Sequence, residues 1–238
     1  MSARVGALCG HFEDIEQQRG AERLGMWMFL ATEILFFAGV FLAYTVYRNW
    51  YARDFAAVSS LLNVTIAGIN SVFLLVSSMT ITFAIRACQT DNNAALRRNL
   101  LATALLGTAF MGLKAYEYAT DYHEGLVPWA NNFGHETLHG HDKPMLDVWE
   151  HEGVSPDRVK IFLFFYYSMT GIHGIHLIIG IGIVTYLYVR ALRRTLTPDK
   201  YVALETTSLY WHLVDGIWLF IMPLLYLAGP HTVHQLGF

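Results

Sequence analysis

The chain has 238 residues, 54% of them hydrophobic and only 15% charged. Ordinary soluble domains carry about 25% charged residues, so the composition excludes that class and points to a polytopic membrane protein. The net charge of −3 carries little by itself, and the two cysteines, Cys9 and Cys88, form no CxxC. That excludes a disulfide framework, a haem-attachment motif and a thiolate metal site.

In chain order, Met1–Arg23 is polar and mixed in charge, with no apolar core of the signal-peptide kind. Five apolar runs follow, each close to the roughly 20 residues that cross a hydrocarbon core. They are Leu24–Tyr47, Leu61–Ile85, Leu100–Ala119, Ile161–Arg190 and Thr206–Ala228. The expected fold is all-α: a bundle of five transmembrane helices over residues 24–238, preceded by a polar cytoplasmic segment over 1–23. Lys and Arg mark the cytoplasmic side of a membrane protein. One side would hold Arg4, Arg19, Arg23, Arg86, Arg97, Arg98, Arg190, Arg193, Arg194 and Lys200; the other would hold Arg48, Arg53, Lys143, Arg158 and Lys160. The N-terminus is therefore expected inside and the C-terminus outside.

Ionisable groups within apolar runs are costly and normally face the bundle interior. Glu33 lies ten residues into the first run, at mid-depth for a rise of about 1.5 Å per residue. It needs a proton or a partner, and His173, His176 and His212 are the candidates. Asp215 is similarly deep in the last run, with His212 one turn earlier. Lys114 and Glu117 are three apart and suited to an ion pair. His173 and His176 are also three apart, beside Gly171, Gly174, Gly180 and Gly182, a small-residue face that lets a neighbouring helix approach. Imidazole suits haem iron or copper. A bundle holding haem, however, presents histidines at matching depth on two helices, and His212, the other histidine in an apolar run, lies nearer the inner face. Hydrogen-bonded core histidines are the expected role.

The outer link, about Thr120–Val159, carries eight acids, two bases and five histidines (His123, His135, His139, His141 and His151). A link of this length usually has a function of its own. His135-Glu136-Thr137-Leu138-His139 fits H-E-x-x-H, the zinc protease signature, which needs both histidines on one helix face. Here Gly134 and Gly140 flank it in a segment with no apolar helical period. His135, His139 and His141 are weak metal candidates, and an acidic solvated docking surface is the plainer reading.

Several stretches together resemble subunit III of the haem-copper respiratory oxidases, the cytochrome c oxidase subunit III family. Leu24-Gly25-Met26-Trp27 through Ala31-Thr32-Glu33-Ile34-Leu35-Phe36-Phe37 is similar to the family's first core helix, with its buried glutamate. Asn70-Ser71-Val72 through Ser77-Ser78-Met79-Thr80 and then Leu106-Gly107 through Glu117-Tyr118 follow in the family's order. Thr170-Gly171-Ile172-His173-Gly174-Ile175-His176 resembles its T-G-x-H-G-x-H block. Tyr210-Trp211-His212-Leu213-Val214-Asp215 with Trp218 resembles its Y-W-H-x-V-D-x-x-W block. The pattern is that of the five-helix form; larger members carry two further N-terminal helices that enclose a phospholipid cleft. The acidic outer loop is not part of the common pattern.

The resemblance implies a subunit with no catalytic centre and no cofactor of its own. Haem and copper would sit in partner subunits, subunit I and, through the complex, subunit II, and phospholipid would be bound. Glu33, Lys114, Glu117, His173, His176, Glu205, His212 and Asp215 would then be internal polar, lipid or subunit contacts. The setting would be a bacterial plasma membrane, the work proton-pumping oxygen reduction, and nucleic acid no partner. The acidic loop would suit a basic cytochrome c or another respiratory complex. Rival readings are a ubiquinol oxidase subunit III, an accessory protein of nitric oxide reductase, a membrane zinc protease through His135, Glu136 and His139, and a transporter using Glu33 and Asp215.

Overall fold

A computed structural model describes residues 15–131, 133–135, 146–147, 149, 153–196, 202–227 and 229. Among the described residues the extended regular structure is all helical, in six helices: α1 (Ile15–Trp50), α2 (Ala52–Ser59), α3 (Val64–Gln89), α4 (Asn93–His123), α5 (Pro156–Leu192) and α6 (Val202–Tyr226).

Four of these, α1, α3, α5 and α6, are long and apolar enough to cross a membrane. The third apolar run lies within α4, whose 31 residues are long enough. Arg97, Arg98, Lys114, Glu117 and Asp121 dilute its apolar character, and it falls outside that group.

The helices extend past the apolar runs because polar end turns continue the helical hydrogen bonding. α1 starts nine residues before Leu24, inside the segment expected to be a separate polar N-terminus, and Gln18 Nε2 donates to Glu22 Oε1 across one turn (3.1 Å). α4 runs to His123 and α5 begins at Pro156, so both ends of the expected 120–159 loop are helical. Side chains close the starts of two helices: Asn63 Oδ1 accepts from Ile66 N–H (3.1 Å) and Asn92 Oδ1 from Ala95 N–H (3.0 Å). Proline at the first position of α5 suits a site whose N–H has no helical acceptor. Thr32, Thr45 and Thr82 turn their hydroxyls back onto carbonyls one turn earlier, which satisfies them within apolar helices.

The chain divides into two compact units. The first comprises Met1–Gly39, Leu74–Gly107 and His176–Gly216. Trp211 is its largest fully buried side chain. The indole N–H donates to Ser77 Oγ (3.0 Å), and the ring lies over two glycines. A Cβ added at Gly107 would sit 2.9 Å from Trp211 Cη2, and one at Gly180 would sit 3.1 Å from Trp211 Cζ3. The expected small-residue face thus has a close partner at Gly180, whereas Gly171 and Gly182 have nothing within 4 Å.

The second unit comprises Val40–Phe73, Thr108–Ile175 and Ile217–Phe238. Its core is aromatic: Phe55 meets Tyr44 at 5.6 Å and Phe162 at 5.3 Å between ring centroids. The short helix α2, which the apolar pattern does not announce, is pinned here. Asp54 accepts from Ser155 N–H (2.9 Å) and from Arg158 Nη1 (3.1 Å), and Ser59 Oγ donates to Leu225 O (2.6 Å). Two turns of mixed composition fall far below the length of a membrane run, so only the buried contacts reveal the element.

Candidate functional site

In the first unit, Glu33 Oε2 lies 3.0 Å from His176 Nε2, with both side chains largely covered. α1 supplies the carboxylate and α5 the imidazole. Tyr210 O–H donates to His176 O (2.8 Å), and the Phe37 ring packs on the imidazole at 5.4 Å. The pair borders a cavity of about 450 Å³ whose other walls include Met26, Phe29, Ile179 and Tyr210. This is a largely apolar chamber with the Glu33–His176 contact, Thr206 and Thr207 on its wall, suited to an amphiphile or to a packed neighbour.

His212 does not join this pair and is not buried: it lies exposed on the described chain, 2.6 Å from Ser78 Oγ and 3.1 Å from Ser208 Oγ. Asp215 is buried, its carboxylate set against the Ser78 hydroxyl without a well-formed hydrogen bond. Glu205 is not internal either. It is half-buried and meets the exposed Arg23 at 3.1 Å, because it sits in the first turn of α6, where the helix emerges from its apolar stretch.

In the second unit, Lys114 Nζ donates to Glu117 Oε2 (3.0 Å), Tyr226 Oη (2.9 Å) and Tyr166 Oη (3.3 Å). Glu117 Oε1 accepts from Tyr226 (2.5 Å) and lies 3.0 Å from Tyr166 Oη, which also lies 3.1 Å from Asp121 Oδ2. The single Tyr166 proton is therefore shared between two carboxylates. The rings of Tyr118, Tyr166, Trp218 and Tyr226 surround the ammonium at 5.0 to 5.6 Å. Such a desolvated cluster persists only because nearly every lone pair and proton has a partner.

His173 is buried between the rings of Phe110 (5.7 Å) and Trp218 (5.3 Å). His173 and His176 thus share a helix but have different surroundings, and the expected single imidazole face splits in two.

The 114/117 spacing announces the ion pair, but an outer link starting at Thr120 leaves Asp121 off the helix, and spacing alone does not single out the tyrosines. The available signal was the continuation 114, 117, 118, 121, one face of a helix that does not stop at Ala119. Among the described residues no group of three or more His, Cys, Asp or Glu is placed to hold a metal ion. His135 stands in a turn; Glu136, His139 and His141, the rest of the proposed zinc signature and its neighbour, lie outside the described residues.

The chain matches the family model described as cytochrome c oxidase subunit III over residues 4–124 and 157–230. The unmatched 125–156 is most of the acidic, histidine-rich link. Similar proteins include cytochrome c oxidase subunit 3 of Bacillus subtilis (strain 168), 29% identical over 211 residues, covering 87% of this chain and 86% of the relative. Quinol oxidase subunit 3 of the same organism is 28% identical over 206 residues, with 87% and 86% covered. Cytochrome bo(3) ubiquinol oxidase subunit 3 of Pseudomonas putida is 25% identical over 206 residues, with 87% and 85% covered. With both blocks of buried polar residues inside the matched ranges, the chain belongs to the cytochrome c oxidase subunit III family.

Proposed function

We propose that the chain is the non-catalytic subunit III of a proton-pumping haem-copper terminal oxidase, stabilising subunit I, retaining phospholipid and supporting proton uptake during aerobic electron transport. On this reading α4 joins the four apolar helices to make five crossings, with the N-terminus inside and the C-terminus outside a bacterial plasma membrane. Haem and copper belong to the partner subunits.

The observation that carries the reading is the surface of α1. Trp27, Met28, Leu35 and Leu42 are all strongly exposed, Leu35 at 73%, while Glu33, the acid within the apolar stretch of the same helix, is turned onto His176. A helix that covers the one charged group of its apolar stretch and presents its large apolar side chains outward is built to meet lipid or another membrane chain.

Replacing Glu33 by alanine tests this. The expected outcome is an unchanged reduced-minus-oxidised haem spectrum with lower retention of phospholipid or of this subunit, read as phosphorus and chain stoichiometry in the purified complex. Loss of haem reduction in an intact complex would contradict a supporting role.

The relatives include both cytochrome c and quinol oxidase subunits at similar identity, so quinol stays open as the electron donor. If the donor is a basic cytochrome c, neutral replacements at Glu136, Asp142, Asp147, Glu150 and Glu152 should flatten the salt dependence of turnover. An unaltered dependence would remove the acidic link from the docking surface.

A further inference from the structure

We infer that the second unit holds a phospholipid site of its own, at the start of α5 and the end of α1. It is distinct in its residues from the Glu33–His176 cavity and rests on the membrane reading above. A cavity of about 600 Å³ is lined by Tyr47, Trp129, Lys160, Ile161, Phe164 and Phe165 among others. Aromatic and aliphatic surface makes nearly all of its wall, and Lys160 supplies the cation. The rings are held in place by neighbours: Tyr47 meets Phe165 at 5.5 Å, and Trp129 meets Tyr167 at 5.1 Å. Lys160 Nζ lies 5.1 Å from the centre of the Phe133 ring. Arg158, two residues earlier, is engaged by Asp54, so Lys160 brings the charge to this wall.

The position identifies the occupant. Asp157, Arg158 and Lys160 come just before the uncharged run that begins at Ile161, and Tyr47 and Trp50 close α1. Charge next to apolar residues, with tyrosine and tryptophan at the junction, marks the edge of the hydrocarbon layer. An apolar trough with one cation at that edge fits an anionic phospholipid, its acyl chain along Phe164 and Phe165 and its phosphate at Lys160. A peptide would bring amide groups that the apolar wall leaves without partners. An uncharged quinol would leave the ammonium without an anion. Trp129 and Pro128 lie within 125–156, outside the family match, so that wall of the site is not part of the shared pattern, whereas Tyr47, Lys160, Phe164 and Phe165 fall inside the match.

The test uses the intact complex in phosphatidylglycerol vesicles containing a trace of phosphatidylglycerol with a photoreactive acyl chain. Label should concentrate on the peptide holding Phe164 and Phe165, above that on the exposed Val72–Met79 face of α3. Lys160→Gln should lower the label there about fivefold, the weight of one cation at an anionic lipid surface. Trp129→Ala should also lower it. Equal labelling of both faces, or labelling unmoved by Lys160→Gln, would overturn the site. Co-purification of the haem-bearing subunit is scored on the same samples. An assembled complex with only background label at Phe164 refutes the lipid site and leaves the oxidase reading standing. Concentrated, Lys160-dependent label on a chain without a haem partner does the reverse.

Discussion

Lys114→Ala is expected to destabilise the subunit by about 3–5 kcal/mol, the usual result of removing one member of a buried ion pair. The variant strands Glu117 and Asp121, which are only 4% and 7% exposed, in a pocket of tyrosine hydroxyls with no cation. Tyr166 has one proton for the two of them, so repulsion and desolvation both rise. The measurement is the thermal or denaturant midpoint for loss of this subunit from the detergent-solubilised complex. The same comparison with Lys114→Met plus Glu117→Gln separates charge from volume. The double variant fills the space and removes one carboxylate, so it should recover much of the loss. If Lys114→Ala shifted stability by less than about 1 kcal/mol, the range of an exposed pair, the cluster would not be the anchor described here.

Trp211→Ala should cost a similar amount, about 3–5 kcal/mol, as large-to-small core replacements do. Within a membrane the transfer contribution shrinks, because lipid is as apolar as the core, and the cavity and lost van der Waals contacts remain. Trp211 is fully buried, bonded to Ser77 and seated on Gly107 and Gly180, so little nearby can collapse into the gap. The reciprocal change, Gly107→Val, pushes a side chain into the indole, whose edge already stands 2.9 Å from a Cβ at that position. Overpacking of this kind costs about 1–3 kcal/mol. Combining Gly107→Val with Trp211→Phe should recover part of it. The two sites touch, so their effects should fail to add. Additive losses would mean that the glycine and the ring do not constrain each other.

Length and hydropathy alone locate the long helices, because a run of about 20 apolar residues has few alternatives. They do not locate helix ends. The polar turns at Glu16–Arg23 and Thr120–His123 are helical through backbone bonding that hydropathy does not register. α2 escapes hydropathy for the same reason: what marks it is Asp54 bonded to Ser155 and Arg158, a contact across about a hundred residues.

Depth counting offered three histidines as partners for Glu33 and cannot choose among them. The choice depends on how each helix is rotated, and the structure selects His176. His212 looked interior because it sits in an apolar run, yet it lies on the exposed side of α6, bonded to Ser78 and Ser208. The tyrosines around Lys114 were invisible for a further reason. Tyrosine in a membrane run reads as bulk until a buried charge is found at its hydroxyl.

The central claim is that this chain supports a redox partner and holds no redox centre itself. The most direct test is tagged purification from membranes in mild detergent, with a reduced-minus-oxidised visible spectrum and mass spectrometry of the co-purifying chains. The account predicts a haem-bearing subunit I at near-equal stoichiometry and oxygen consumption driven by reduced cytochrome c or by quinol. A colourless chain that purifies alone with stoichiometric zinc, lost on His135→Ala, would contradict it.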